Sequence, residues 1–297
     1  MMGSLAVQRP FDLDDEAAYA RWRDRKWAMR PKDVNDLVVE VQDPYRLRAS
    51  ERQALLDLCQ RTNMAVYRTP VLAEDTALPR QLGAQLGLQR LDANWLADAD
   101  GVSPIAVAQP DAQRSGFIPY TNRAIKWHTD GYYHPPARSI RAMLLHCVRS
   151  ACSGGDTALM DHELAYIALR QANVQWVRAL MAPNAMTIPE RLDAHGVARA
   201  AQSGPVFSVD PGSGTLHMRY TARTRSVQWK DDPLTREASA YLLQLLERSD
   251  DVFRLRLSPG MGLVCNNVLH DRSEFVDDPQ SPRMLFRARY LDRVASL

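Results

Sequence analysis

The stretch Trp127-His128-Thr129-Asp130-Gly131 sets the tightest condition on how this chain folds, because it puts an imidazole and a carboxylate two residues apart among aromatic and apolar neighbours. Residues i and i+2 of an extended segment leave the same face, so His128 and Asp130 aim at one point and read as half of a metal site. A third ligand has to come from far along the chain. His270 is the best placed, at the end of the apolar strand Gly262 to Leu269, about 140 residues downstream. Two imidazoles and one carboxylate on a triangular face, with the opposite positions open, suit a non-haem Fe(II) centre. Segments remote in sequence must therefore meet in a single cavity.

The bulk of the chain is compatible with that demand. Its 297 residues are 45% hydrophobic and 24% charged, enough for a sizeable core in a single domain spanning 1–297. The near balance of 37 Lys+Arg against 35 Asp+Glu argues against nucleic acid or a membrane surface and favours a small-molecule partner. Nothing resembling a signal peptide or a membrane span is present, so the expected location is cytoplasmic. Cys59, Cys147, Cys152 and Cys265 form no CxxC pair, lie in or beside apolar segments, and are expected to be buried free thiols. A homo-oligomer is left open.

Hydrophobic periodicity and turn chemistry give a coarse element order. A surface helix is expected over 13–29, a strand over 37–41, and a helix opened by a Ser50/Gln53 capping box. Strands follow at 64–67 and from 105, with a helix near 79–86 and an ambiguous segment at 91–96. Further strands are expected at 140–148, 156–160, 252–257, 263–267 and 283–290, and a hairpin around Pro211-Gly212-Ser213-Gly214. Asp161 is an N-cap for a helix to Leu169, and 174–183 and 234–248 read as helices. The fold class is mainly β with helices, a sandwich or barrel with helices packed outside.

In Arg283-Met284-Leu285-Phe286-Arg287-Ala288-Arg289-Tyr290, the period of two puts Arg283, Leu285, Arg287 and Arg289 on one face. An ordinary surface strand would turn those arginines to water. Their position a dozen or so residues after His270 instead allows an arginine fork to reach back into the same cavity and hold a carboxylate.

His128-Thr129-Asp130, Gly154-Gly155-Asp156-Thr157, His270 and Arg283 together resemble the taurine dioxygenase-like (TauD/TfdA) family of Fe(II)/2-oxoglutarate-dependent oxygenases, over residues 118 to 293 or so. The resemblance implies a double-stranded β-helix, a jelly roll of the cupin-like kind. It implies His128, Asp130 and His270 as the catalytic metal ligands, Thr157 and Arg283 as the 2-oxoglutarate binders, and Arg287 as a contact to an anionic substrate. It also implies consumption of dioxygen, with release of succinate and CO2 and hydroxylation of a small polar metabolite such as an amino acid derivative, a quaternary amine or a sulfonate. The carboxylate of Asp130 favours hydroxylation over halogenation on the same grounds. Residues 1–110 match no pattern of that family and are expected to pack on the 118–293 core.

Residues beside the motif, Asn122, Tyr132 and His134, are candidates to orient the substrate, and ordinary packing accounts equally well for Tyr132 and Tyr133. Asn266 and Asn267 either fix the metal-bound imidazoles or cap a strand end. His146, His162 and His217 are expected in core or helix-start positions. Arg219, Arg223 and Arg225 form either a solvated loop or a lid over an anionic substrate. Two other readings stand beside the oxygenase: a Zn-dependent β-barrel hydrolase or isomerase, and a non-catalytic binding module of the same fold.

Overall fold

In the computed structural model, which describes residues 9–92, 101–109, 114, 116–193 and 196–294, two β-sheets face one another. The larger runs in the order Val38–Glu40, Met64–Arg68, Met261–Cys265, Ala142–Arg149, Met284–Tyr290, Val102–Ile105. The smaller runs Phe253–Leu255, Thr157–Met160, Leu269–Arg272, Ile125–His128. All pairs are antiparallel except Val38–Glu40 with Met64–Arg68. Alternation along each strand sends one set of side chains between the sheets: Met64, Val66, Met143, Leu263 and Cys265 meet Leu159 and Phe253 there.

The outward sets are buried too. Helices Ala49–Thr62 and Ala77–Gln85 cover Tyr67, Leu144, Phe286 and Tyr290 on the larger sheet. Helices Glu16–Ala28, His162–Ala172, Val174–Leu180 and Pro233–Arg248 cover Trp127, Ala158, Met160 and Leu269 on the smaller. The result is a double-stranded β-helix with helices outside.

Local signals explain most boundaries. Asp161 accepts the Glu163 amide at 2.9 Å, the expected cap. Asp232 caps Pro233–Arg248 with Pro at the start, and Ala238, Leu242 and Leu246 recur at helical spacing on its buried side. The expected hairpin forms, Phe207–Val209 pairing with Leu216–Met218.

Several expectations need correction. The helix after residue 48 starts at Ala49, and Glu51 rather than Gln53 caps it by accepting the Arg48 amide at 2.8 Å, which leaves Ser50 inside the first turn. Residues 34–37 form a 3₁₀ turn before the strand Val38–Glu40. The apolar run before His270 is two strands, broken at Asn266-Asn267, where Asn267 takes φ +52°. Cys152 is exposed, whereas the other three thiols are buried. The early part of the chain does not merely pack on the core, since Val38–Glu40, Met64–Arg68 and Val102–Ile105 hydrogen-bond into the larger sheet. Of the ambiguous 91–96 segment, Leu91 bridges to Tyr290 and 93–96 lie outside the described residues.

The first helix is also more than a surface element. Lys26 is buried, and its three donors go to Asp161 and Glu163, each at 2.5 Å, and to the Arg61 carbonyl at 2.7 Å. Removing the ammonium strands two buried carboxylates. Lys26→Met should lower stability by about 3–5 kcal/mol in chemical denaturation, and Glu163→Gln added to it should recover part of that loss.

Candidate metal and cosubstrate site

Strand pairing assembles the site. Ile125–His128 and Leu269–Arg272 are neighbours in the smaller sheet with His270 directly opposite His128, and the two rings lie 4.2 Å apart between centroids. One ligand-capable atom from each of His128, Asp130 and His270 lies within 4.8 Å of the others, and all three residues are buried. The Nδ1 atoms are engaged by backbone carbonyls, His128 with Lys126 at 2.9 Å and His270 with Val268 at 3.0 Å. Both Nε2 atoms are thereby left as the acceptor side, the geometry a metal-binding imidazole needs.

Asp130 is held by the turn that precedes His270. The Asn267 side-chain oxygen accepts the Asp130 amide at 2.7 Å, and its NH2 group donates to the carbonyls of Asp130 at 2.9 Å and Ile140 at 2.7 Å. Asn267 therefore fixes the carboxylate-bearing residue, not an imidazole. Asn266 serves the C-terminus instead, accepting the Val294 amide at 3.0 Å. Gly131, at φ +68°, completes the turn, because a Cβ there would fall 2.4 Å from Ile140.

Electrostatics favour a cation. Burial first, then the neighbouring His270, pushes the His128 pKa down to about 3, so the ring is neutral at ordinary pH. Burial would raise the Asp130 pKa, but Arg287 and then Arg289 hold it below the usual carboxylate range. The Arg287 guanidinium sits 3.4 Å from the Asp130 carboxylate, whose other oxygen is buried without a hydrogen-bond partner.

Beside this group is a cavity lined by Thr157, Met143, Leu145, Arg283, Leu285 and Arg287, with His128 and His270 at its edge. Arg283 is buried, over the Phe275 ring at 5.0 Å, and its guanidinium makes no hydrogen bond or ion pair among the described residues. Gly155 makes room for it, since a Cβ at that position would lie 3.3 Å from the Arg283 Nε. A buried cation without a partner is costly, and a cavity that presents one with a threonine is suited to an organic carboxylate.

The remaining candidates separate. The Tyr132 ring meets His128 edge-on at 6.4 Å. Asn122 is exposed, and among the described residues its backbone oxygen accepts the Phe275 amide at 3.1 Å while its side chain makes no hydrogen bond; Arg272 clamps the neighbouring carbonyls of residues 119, 121 and 123. His134 braces its own loop through the Arg138 carbonyl at 3.1 Å and does not line the cavity. Arg219 is not part of a solvated loop, for it binds three carbonyls, those of Tyr132, Met186 and Gln202. His146 is a core residue, its Nδ1 2.9 Å from the Tyr67 hydroxyl, and His162 opens a helix.

One group went unassigned in the sequence. Arg289 shares the inward face with Arg287, donates to the Tyr133 hydroxyl at 3.0 Å and meets buried Asp92 at 2.5 Å, and Asp92 also takes Arg138 at 2.6 Å. Strand alternation placed Arg289 correctly, but nothing local marks Asp92 as its partner.

The family model described as "Taurine catabolism dioxygenase TauD, TfdA family" matches residues 34–289. The chain belongs to the TauD/TfdA dioxygenase family. That match begins well before residue 110, so the early strands belong to the family pattern that the sequence reading began at 118. Two uridine-5'-phosphate dioxygenases are similar to this TauD/TfdA member. The one from Amycolatopsis sp is 33% identical over 190 residues, 62% of this chain and 66% of the relative. The one from Streptomyces sp is 32% identical over 175 residues, 57% of this chain and 62% of the relative. The matched stretch thus spans less than two thirds of either relative. Among solved structures, asparagine oxygenase with Fe(II), 3-hydroxyasparagine and succinate superposes with a TM-score of 0.61 at 17% identity, covering 97% of this chain and 87% of the other. The non-haem iron oxygenase OrfP with Fe and alpha-ketoglutaric acid gives 0.62 at 17% identity, covering 83% and 81%. At these identities the likeness is one of fold.

The Asn267 contacts make a prediction about metal affinity. Asn267→Gly keeps the left-handed turn and removes the amide, and Asn267→Ala removes the amide and strains the turn. Both should weaken Fe(II) binding in anaerobic titration by about 10- to 100-fold. Wild-type affinity in the glycine variant would mean that the turn alone matters.

Proposed function

We propose that the chain is an Fe(II)- and 2-oxoglutarate-dependent oxygenase that hydroxylates a small anionic metabolite, a nucleoside 5'-phosphate being the first substrate to test. The observation that carries this reading is the convergence of the His128, Asp130 and His270 ligand atoms, with both histidines lining a cavity that also holds buried Arg283, whose guanidinium has no hydrogen bond or ion pair among the described residues. An Fe(II)/2-oxoglutarate centre requires a cation for the distal carboxylate of its cosubstrate, which a hydrolytic zinc site does not. The nucleotide is suggested by the uridine-5'-phosphate dioxygenases among the relatives.

In this reading His128, Asp130 and His270 hold Fe(II), and Thr157 and Arg283 bind the distal carboxylate of 2-oxoglutarate. When bound, the pair supplies oxidative chemistry: one dioxygen is consumed as 2-oxoglutarate becomes succinate and CO2, and the second oxygen atom enters a C–H bond of the substrate. The protein's part is placement. Arg287 keeps Asp130 ionised and adds positive charge where an anionic substrate approaches, and Leu145, Met143 and Leu285 keep the cavity wall apolar. We take 1–297 as one catalytic unit, because the early strands complete the sheet that carries Arg287. Tyr132, edge-on to His128, is placed to touch the substrate, whereas Asn122 faces solvent and His134 braces its own turn.

Adding Fe(II) and 2-oxoglutarate anaerobically should produce a weak visible charge-transfer band, and admitting air should release succinate slowly even without substrate. Tight Zn2+ binding with neither signal would overturn the assignment. Arg283→Ala should weaken 2-oxoglutarate by about 10- to 100-fold, the loss of a charge-assisted pair, and iron much less. Equal losses of both would mean that Arg283 has a different role.

A further inference from the structure

Next to the Tyr132–Tyr133 pair, arginines from three segments, Arg191, Arg199 and Arg219, come close to one another. Strands Arg191–Asp193 and Gly196–Arg199 pair so that Arg199 stands directly opposite Arg191. Like charges in that position destabilise a hairpin. The Arg199 guanidinium donates only to the carbonyls of Pro189 at 2.6 Å and Ala200 at 3.3 Å, and it meets no carboxylate among the described residues. Partial burial lowers its pKa, and Arg191 lowers it further. Arg219 is nearby, committed to three carbonyls and likewise without a carboxylate; burial and then Arg199 bring its pKa down to about 10. A fold that gathers guanidiniums in this way, at a cost to itself, is arranged for an anion.

The position of the cluster connects it to the metal. Arg199 lies 5.9 Å from the centre of the Tyr133 ring, Tyr133 meets Tyr132 edge-on at 5.3 Å, and Tyr132 meets His128 at 6.4 Å. Three consecutive ring contacts thus lead from the metal group to the arginine. The tyrosines are fixed from beneath. Arg289 holds the Tyr133 hydroxyl, and Arg219 holds the Tyr132 carbonyl at 2.7 Å while also binding the carbonyls of Met186 and Gln202, on either side in sequence of the strands that carry Arg191 and Arg199. The other arginines of the wall already have carboxylates, Arg289 and Arg138 sharing Asp92 and Arg287 facing Asp130.

We propose that Arg199, above the Tyr132–Tyr133 wall, is the specificity-determining clamp for an anionic group, of the phosphate monoester class, on a substrate whose planar part lies against those two rings. The proposal rests on the oxygenase reading for its chemistry and deepens it by naming what that wall selects. It separates two jobs: Arg287 acts at the reacting end beside Asp130, and Arg199 reads the far end of the molecule.

Uridine 5'-phosphate and uridine, compared as substrates for the wild type, Arg199→Gln and Arg199→Lys by succinate release, test the proposal. The wild type should prefer the phosphate by about 10- to 100-fold in kcat/KM, the worth of one charge-assisted contact. Arg199→Gln should bring the two values together, and Arg199→Lys should restore part of the gap. A merely structural role would lower both substrates equally and leave their ratio intact, which overturns the proposal, as does a wild type without preference. Calorimetric binding of the same two compounds to the same proteins reads the same ratio without turnover. Absence of succinate therefore counts against the oxygenase reading, whereas a wild type that binds both compounds alike, or a binding ratio unchanged in Arg199→Gln, counts against the clamp.

Discussion

The structure depends on one crossover. At Asn266-Asn267 the chain leaves the larger sheet and enters the smaller, and the turn that makes this possible needs a left-handed residue, which asparagine tolerates better than any other side chain except glycine's hydrogen. The same residue uses its amide three times, on both backbone groups of Asp130 and on the Ile140 carbonyl. Two segments that are distant in sequence are thereby held at the point where the chain changes sheets. His270 follows three residues later, already in register with His128. The convergence of the three candidate ligands is thus a consequence of sheet pairing plus one side chain, and it requires no flexible loop.

A second constraint comes from the strand Met284–Tyr290. Its apolar set faces outward under the helices, and its arginines face inward between the sheets. Placing guanidiniums in the interior carries a large desolvation cost, which is bearable only when each meets an anion or a set of carbonyls. Arg289 has Asp92 and Arg287 has Asp130. Arg283 has neither among the described residues, and it lies where the cavity is lined by Thr157 and the two histidines. The interior therefore has a gradient, from fully paired charge near Asp92 to unpaired charge at Arg283, and an anionic cosubstrate would complete the pattern.

Much of this was legible in the sequence, and the reasons are physical. A side-chain period of two is a rigid rule, so it located His128 with Asp130 and put the four-residue arginine face together. Capping chemistry located Asp161, and turn chemistry located the hairpin at 207–218. What escaped was whatever depends on a partner remote in sequence. Whether an arginine face looks to water or into a core is decided by the helices at 49–62 and 77–85 that cover the other side, and nothing in the strand itself states that they will be there. Lys26 looked like one charge among many on a polar helix, and its burial depends on Asp161 and Glu163, more than a hundred residues away. Asp92 was hidden for the same reason. The Asn266-Asn267 doublet carried a signal that was available, since two consecutive amides interrupting an apolar run are poor strand material.

These elements divide the molecule by function. The two sheets and their crossover set the three candidate ligands, which are fixed by strand pairing, by the Asn267 amide on Asp130, and by the Lys126 and Val268 carbonyls on the imidazoles. On the proposed reading, selection among substrates falls to parts outside the two sheets: the Gly131 to Arg138 turn, the paired strands Arg191–Asp193 and Gly196–Arg199, and Arg219, which holds the Tyr132 carbonyl. Such parts change length and charge without disturbing the register of the two sheets, because none of them is a strand of either sheet. A chain built this way keeps one oxidative centre while the segments around Tyr132 and Arg199 vary, and Arg199, which meets no carboxylate among the described residues, gives that wall its charge.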